Sequence, residues 1–452
     1  MYQFLQSYLE EGIYPFHMPG HKRNPMFFPQ GMAGLDLTEI PGMDILRAPT
    51  GIIRDLQEAA ASFYGADESY LLVNGSTAGI ISAICAVCNE GSSLYAARNG
   101  HVSMYNGIAL SGAIPKYILP ETTPDGLAGG IKPAALDDME ENAAVFIVSP
   151  TYEGYVSNIK EIAARVHSKG GILIVDEAHG AHFKFHDNFP FSALELGADI
   201  VVQSFHKTLP ALGQMAVLHV KGPRVDASRL KFYLQAVQTT SPSYMLMGQL
   251  DYVLKMLWQR PEIFETYVSR LSKIRIALTT SETQPVSLLA QERVGEYGIF
   301  DTDPGKLLFS LNVAGKAENI SKIMADKYRI QMEMAAGRHL LAMTSVADTD
   351  EGFQRLWGAV GTLNIKLEGQ LGEMVTKNDN AADSYTKAVP EMVMPPNQAI
   401  RQETEVIPWE KAAGRVAGEV IADYPPGIAL VAPGERIPQG LPKLAQVIRV
   451  IK

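Results

Sequence analysis

Cysteine is almost missing from this chain: its 452 residues include two, Cys85 and Cys88. Two thiols make no disulfide framework, so a reducing compartment is expected, with the cytoplasm as the default location. Their C-x-x-C spacing admits a redox or zinc reading. However, both thiols lie at the end of an apolar stretch, from Gly79 to Val87, that reads as a helix interior. Redox pairs sit at helix N-termini, and a zinc site needs two further ligands. Buried thiols are the expectation. No run of about 20 apolar residues occurs, so no membrane-spanning helix is expected. No basic segment precedes an apolar one at the N-terminus, so no signal peptide is expected either. Lys/Arg runs are missing too: 39 basic residues against 49 acidic ones give a formal charge of -10. That balance argues against nucleic acid as a partner and is compatible with a cationic small molecule. No internal repeat is visible.

What is present reads as a globular chain with room for two or three domains. Ile52, Ile53, Leu56, Ala59, Ala60 and Phe63 repeat at helical spacing, and Gly65 follows as a stop. Strand candidates then fall at 69–73, 93–97, 115–119, 144–149, 171–175, 199–203 and 215–220. Helical stretches such as 76–90, 101–112 and 159–169 separate most of them. This alternation predicts a mostly parallel sheet covered on both faces, with ligands at the carboxyl ends of its strands. After about residue 223 the rhythm changes. Residues 244–280 read as one long helix. Strands at 286–290, 307–312 and 339–346, with helices at 316–328 and 350–368, predict a smaller α+β domain. A polar stretch at 369–390 reads as a linker. The last unit, 391–452, is expected to hold a short helix from Trp409 to Ala422. A first helix is expected at Tyr2 to Glu11. The expected divisions are 1–50, 51–270, 271–368 and 391–452.

Two apolar runs end in reactive groups. Ile172-Leu173-Ile174-Val175 is followed by Asp176-Glu177-Ala178-His179, and the run at 199–202 leads to Ser204-Phe205-His206-Lys207. A lysine at the end of a buried strand loses its proton cheaply and can form a Schiff base. A carboxylate on the neighbouring strand can keep a pyridine nitrogen protonated. The pair suits pyridoxal 5'-phosphate (PLP). Asn74-Gly75-Ser76-Thr77 opens a helix, where free N–H groups favour a phosphate; Ser and Thr there are equally ordinary N-caps. His101 opens another helix, either as a polar first residue or stacked on a cofactor ring. Ser204 and His206 stand close enough to donate to a phosphate. His179, His182 and His186 fit no standard zinc spacing, and no metal is expected. His179 could lie near the cofactor, while His182 and His186 read as surface or core polar residues.

These segments resemble the ornithine/lysine/arginine decarboxylases of the PLP fold-type I superfamily. The resemblance rests on His17-Met18-Pro19-Gly20-His21-Lys22, Asn74-Gly75-Ser76-Thr77, Asp176 to His182, Ser204-Phe205-His206-Lys207, Thr239 to Tyr244, Tyr424-Pro425-Pro426-Gly427 and Pro433-Gly434-Glu435. It spans nearly the whole chain, in the family's order, and looks like the short form without an N-terminal wing domain. It implies an aspartate aminotransferase-like α/β large domain, a smaller α+β domain and a C-terminal domain. It also implies PLP, held on Lys207, paired with Asp176, stacked by His101, and bound at its phosphate by Ser76, Thr77, Ser204 and His206. The segment around Ser241 would reach a partner subunit's site, which implies at least a homodimer. The implied reaction is α-decarboxylation of arginine, lysine or ornithine, with Lys207 or His206 returning the proton and Glu435 meeting the substrate's distal cation. Three positions depart from the pattern. Val102 stands where the family commonly has lysine, Arg47 where it commonly has histidine, and Arg338 roughly where aminotransferases carry a carboxylate-binding arginine. Transamination and C–S or aldol cleavage are rival reactions on the same fold. A decarboxylase-like regulator without turnover is a more distant alternative.

Overall fold

Seven strands form the central sheet: β1 (Glu68–Leu72), β2 (Ser93–Ala97), β3 (Ile114–Ile118), β4 (Ala144–Val148), β5 (Ile172–Asp176), β6 (Ile200–Gln203) and β7 (Ala216–Val220). Their order is β1-β7-β6-β5-β4-β2-β3. The five strands from β6 to β3 run parallel, and β7 is antiparallel to both its neighbours. The computed structural model describes residues 14–16, 25–27, 44–279, 284–289, 293–313, 317–368, 389–423 and 427–452. The expected helix at Tyr2 to Glu11, the motif His17 to Lys22, most of the 369–390 stretch and Tyr424 to Pro426 lie outside these residues.

Aliphatic side chains explain the middle of the sheet. Successive residues on a strand point to opposite faces, so an unbroken aliphatic run suits a strand buried on both sides. Leu173, Val175 and Val201 join one core cluster, with Tyr64 and Phe205. Ile174, Ile200 and Val202 join another, with Ile80 and Ile84 of the helix that covers that face. This helix, α2 (Gly75–Val87), presses close to the sheet. A Cβ on Gly79 would stand 2.6 Å from Leu72 Cδ1. The other helices that matter for the site are α1 (Ile52–Tyr64), α3 (Val102–Ser111), α4 (Ile159–Ser168) and the one-turn α5 (Phe205–Thr208). Gly65 ends α1 at φ +74, as its position predicts.

A second sheet is antiparallel and has four strands, β8 (Val286–Leu288), β9 (Lys306–Leu311), β10 (Met334–Ala336) and β11 (His339–Met343), in the order β8-β9-β11-β10. The long helix expected over 244–280 is two helices, α7 (Tyr244–Gln259) and α8 (Glu262–Leu278), after α6 (Ala227–Val237). Pro261 causes the break, because a proline inside a helix lacks the N–H and clashes with the preceding turn. Helices α9 (Ala317–Tyr328) and α10 (Asp350–Leu367) fall where their periodicity places them.

The last unit pairs β12 (Thr404–Pro408) with β15 (Val447–Ile451), and β13 (Ile421–Asp423) with β14 (Ile428–Val431). The helix expected from Trp409 to Ala422 does not form. A single 3-10 turn covers Trp409–Lys411, and the chain is in β13 by Ile421. Two glycines explain this. Gly414 sits at φ +83, which no helix interior allows, and a Cβ on Gly418 would stand 2.9 Å from Thr404 Cγ2.

This unit is fastened to the large sheet by a buried ion pair. The Arg98 guanidinium, just past β2, donates to both oxygens of Glu435 at 3.0 and 2.8 Å and to the Leu430 carbonyl at 3.0 Å. Both side chains are wholly buried. The Tyr117 ring lies 4.5 Å from the guanidinium, and Tyr105 donates to the Arg98 carbonyl. One turn further on, Val102 N–H donates to the Gly427 carbonyl and His101 bridges Ile428.

Candidate active site

The carboxyl ends of β5 and β6 and the start of α2 surround a cavity of about 370 Å³. Its wall includes Ser76, Thr77, His101, Asp176, His179, His206 and Lys207. Each arrives for a local reason. Asp176 ends β5 and Lys207 lies in the turn of α5 that follows β6, so the pairing of two adjacent parallel strands brings them together. Asn74 is the N-cap of α2 but makes no side-chain cap bond, which leaves the first-turn N–H groups free of a cap at the cavity. Ser76 and Thr77 stand inside the first turn and are not the N-cap. His101 caps α3, accepting from Ser103 N–H at 3.2 Å, and it also lines the cavity.

Burial dominates the electrostatics. Asp176 is buried and accepts one N–H, from Ala178 at 3.1 Å. Burial pushes its carboxyl above the usual range, against the pull of Lys207. Burial pushes the Lys207 amine the other way, down, while Asp176 and Glu333 oppose it. His101 falls to about 4, mainly through burial and then through the Lys207 charge. His206 also falls to about 4, because burial outweighs its 3.0 Å contact with the Met215 carbonyl. That contact takes the Nδ1 proton of the neutral ring, so His206 can donate into the cavity only as imidazolium. Burial holds His179 well below its ordinary value.

The Ser204 hydroxyl is fully buried and, among the described residues, has no hydrogen-bond partner. An orphaned buried hydroxyl at the helix turn that carries Lys207 suits a strong acceptor, such as a phosphate oxygen. A lysine amine, a buried carboxylate, an imidazole and a phosphate-suited helix start therefore meet at one cavity. The residues fit PLP.

The remaining expectations divide. Glu435 does not face a substrate cation: Arg98 takes both its oxygens, inside the protein. Arg338 is likewise committed, donating to the Leu311 carbonyl from Nε at 3.0 Å and from a terminal nitrogen at 2.8 Å. Arg47 is exposed and borders a separate cavity of about 480 Å³ with Glu58, Glu68 and Lys231. Ser241 is exposed, with its hydroxyl 3.3 Å from that of Thr239. Val102 opens α3, half-buried. His182 meets Asp303 in the core at 3.2 Å, and His186 meets Glu265. Cys85 and Cys88 are buried, which raises their thiols to about 11 and about 12. Among the described residues no His/Cys/Asp/Glu group is arranged to hold a metal, and no helix is long and apolar enough to cross a membrane.

Two site-adjacent groups escape a reading of the sequence. Lys306 opens β9 in the smaller sheet, is buried, and places Nζ 2.7 Å from His179 Nδ1. Lys306 stands at the amino end of the apolar run Leu307-Leu308-Phe309, not at the carboxyl end that singles out Lys207. Glu153 also lines the cavity, buried. It stands in a loop with no periodicity to mark it.

Comparison with known proteins agrees with this geometry. The chain is 30% identical to the arginine decarboxylase of Bacillus subtilis over 451 residues, covering 97% of this chain and 91% of that protein. It is 32% identical to the arginine decarboxylase of Halalkalibacterium halodurans, covering 93% and 87%. The fold matches the crystal structure of the Francisella novicida lysine decarboxylase LdcF at a TM-score of 0.78 and 17% identity, over 94% of this chain and 76% of that one. Residues 1–321 match the model of the Orn/Lys/Arg decarboxylase major domain, and residues 378–451 match that of its C-terminal domain. With the sheet, the cavity and both family segments in agreement, the chain belongs to the Orn/Lys/Arg decarboxylase family.

Proposed function

We propose that the chain removes the α-carboxylate of a basic amino acid, arginine first, using PLP held on Lys207. The observation that carries this reading is the meeting of Lys207 and Asp176 at one buried cavity. Support for arginine comes from the names of the Bacillus and Halalkalibacterium relatives. When bound, PLP supplies an electron sink for the electron pair left behind as CO2 departs.

The protein's own groups do the rest. Lys207 supplies the amine that anchors the cofactor. Asp176, buried beside it, favours a proton on the pyridine nitrogen by opposite charge. His101 offers an imidazole face from the helix cap. Ser76, Thr77, Ser204 and His206 would hold the phosphate. Burial of Asp176 strengthens its charge interaction with Lys207. Because the neutral His206 ring has its one N–H on the Met215 carbonyl, Lys207 is the group proposed to return a proton to carbon. With Asp176 beside Lys207, Glu153 is the lining carboxylate left for a distal cation. Ser241, exposed on one chain, is a candidate for contact with a partner subunit in a homodimer.

The test is direct. The purified chain with PLP is offered arginine, lysine and ornithine, with CO2 and amine as readouts. Arginine should be turned over fastest, without a keto acid. Dependence on a keto acid acceptor, or consumption without CO2, would overturn the reading in favour of transamination or another lyase reaction.

A further inference from the structure

At the cavity wall, one imidazole is held between two lysines. Lys207 Nζ stands 3.0 Å from His179 Nε2, and Lys306 Nζ stands 2.7 Å from His179 Nδ1. The three residues come from different places in the fold: the turn after β6, the loop after β5, and the first residue of β9. Neutral imidazole has one N–H and one lone pair. His179 is kept neutral by burial and by both lysines. One lysine must therefore donate a hydrogen bond to the ring, and the other must accept one from it. A receiving lysine needs a lone pair, so it is an uncharged amine. At most one of the two lysines is an ammonium.

The surrounding charges choose between them. On the Lys306 side lie Asp303, Glu333 and Glu153, with the Tyr152 ring 5.7 Å away and Lys207 opposing. Asp303 is well supported as an anion, meeting His182 Nε2 at 3.2 Å and Gly305 N–H at 2.8 Å. Lys207 faces Asp176, Glu333, His179, His206 and His101. Asp176 accepts a single backbone N–H, and burial drives it towards its neutral form. Lys306, lowered by burial to about 8, still keeps its proton at neutral pH.

We propose that Lys306 is a positioning residue for the cofactor's anchor: it holds the one shared proton, fixes His179 as the Nε2–H tautomer, and leaves Lys207 as the free amine. Only the free amine attacks an aldehyde carbon, so the arrangement makes Lys207 a nucleophile without a base from solvent. The inference rests on Lys207 being the anchor proposed above.

Two measurements on the cofactor-free full chain test it, and neither depends on decarboxylation, so its failure is separate from failure of the proposed reaction. In the wild-type chain labelled with 15N-histidine, long-range 15N–1H spectra report the tautomer of His179, assigned by its loss in His179→Gln. Nε2–H is expected, and Nδ1–H would overturn the proposal. Acetic anhydride labelling across pH, read by peptide mass spectrometry, then gives the midpoint at which Lys207 becomes reactive. Lys306→Met should move that midpoint up by one pH unit or more, slowing labelling at neutral pH about tenfold, and Lys306→Arg should return it. A folded Lys306→Met chain with an unmoved Lys207 midpoint would overturn the proposal. If Lys306→Met does not fold, the wild-type tautomer decides.

Discussion

Two buried polar clusters lie within one or two turns of the same cavity and are built on opposite rules. Around Arg98 every charge meets its opposite: Glu435 answers the guanidinium with two oxygens, and the Leu430 carbonyl takes a further N–H. Around His179 two basic amines share one neutral ring, and at most one of them can carry a charge. The first arrangement is a fastener. Both ions are out of water, and the pair holds only while both partners are present. The second is a poised state. Its members are pushed away from their charged forms, which is what nucleophilic and proton-transfer chemistry requires. Both clusters are largely out of water, so burial alone does not mark function. The balance of charge within the cluster does.

That contrast can be broken or sharpened in four ways. The largest effect is expected in the poised cluster. Lys207→Ala should lose the visible absorption of the bound cofactor and at least 10³-fold in CO2 release, about 4 kcal/mol of barrier, with thermal stability little changed. Next comes the fastener. Glu435→Ala should strand a buried guanidinium and cost about 3–5 kcal/mol in denaturant unfolding, while Arg98→Met with Glu435→Leu should recover much of the loss. Third, acid should unfold the cofactor-free chain. His101, His206 and His339 sit at about 4 and His219 at about 3, all lowered chiefly by burial from 6.5. Between pH 6.5 and 4 the unfolded chain binds these protons and the folded chain does not. Stability therefore falls as pH drops through that window, with each histidine adding a slope approaching about 1.4 kcal/mol per pH unit. A flat stability profile there would contradict the assigned burial. The smallest effect belongs to Arg338→Met. Because this guanidinium serves the Leu311 carbonyl, KM should change less than about twofold, whereas a substrate-binding arginine would lose about 2 kcal/mol or more from a charged contact.

Much of this was legible in the sequence because the strands that carry the site are local features. Each aliphatic run, 172–175 and 199–202, marks a strand, and whatever polar residue follows is at its carboxyl end. Asp176 and Lys207 needed no long-range knowledge. The resemblance carried the rest of the cofactor set. Glu435 was misread because its partner is 337 residues away, and nothing near it says that an arginine waits. Lys306 was overlooked for the same reason: the smaller sheet must fold back on the large one before its amine has a neighbour. The helix expected from Trp409 failed on Gly414 and Gly418, whose backbone demands outweigh the apolar spacing around them.

The strap formed by Gly427, Ile428 and Glu435 has a consequence for synthesis. A ribosome that has made the whole central sheet has still not delivered the residues that cover α3 and neutralise Arg98. The nascent protein must carry that cation, exposed or unsatisfied, until residues 427–435 are made, long after the last strand of the sheet. Completion of the reaction chamber thereby waits on a segment made more than 200 residues after β7.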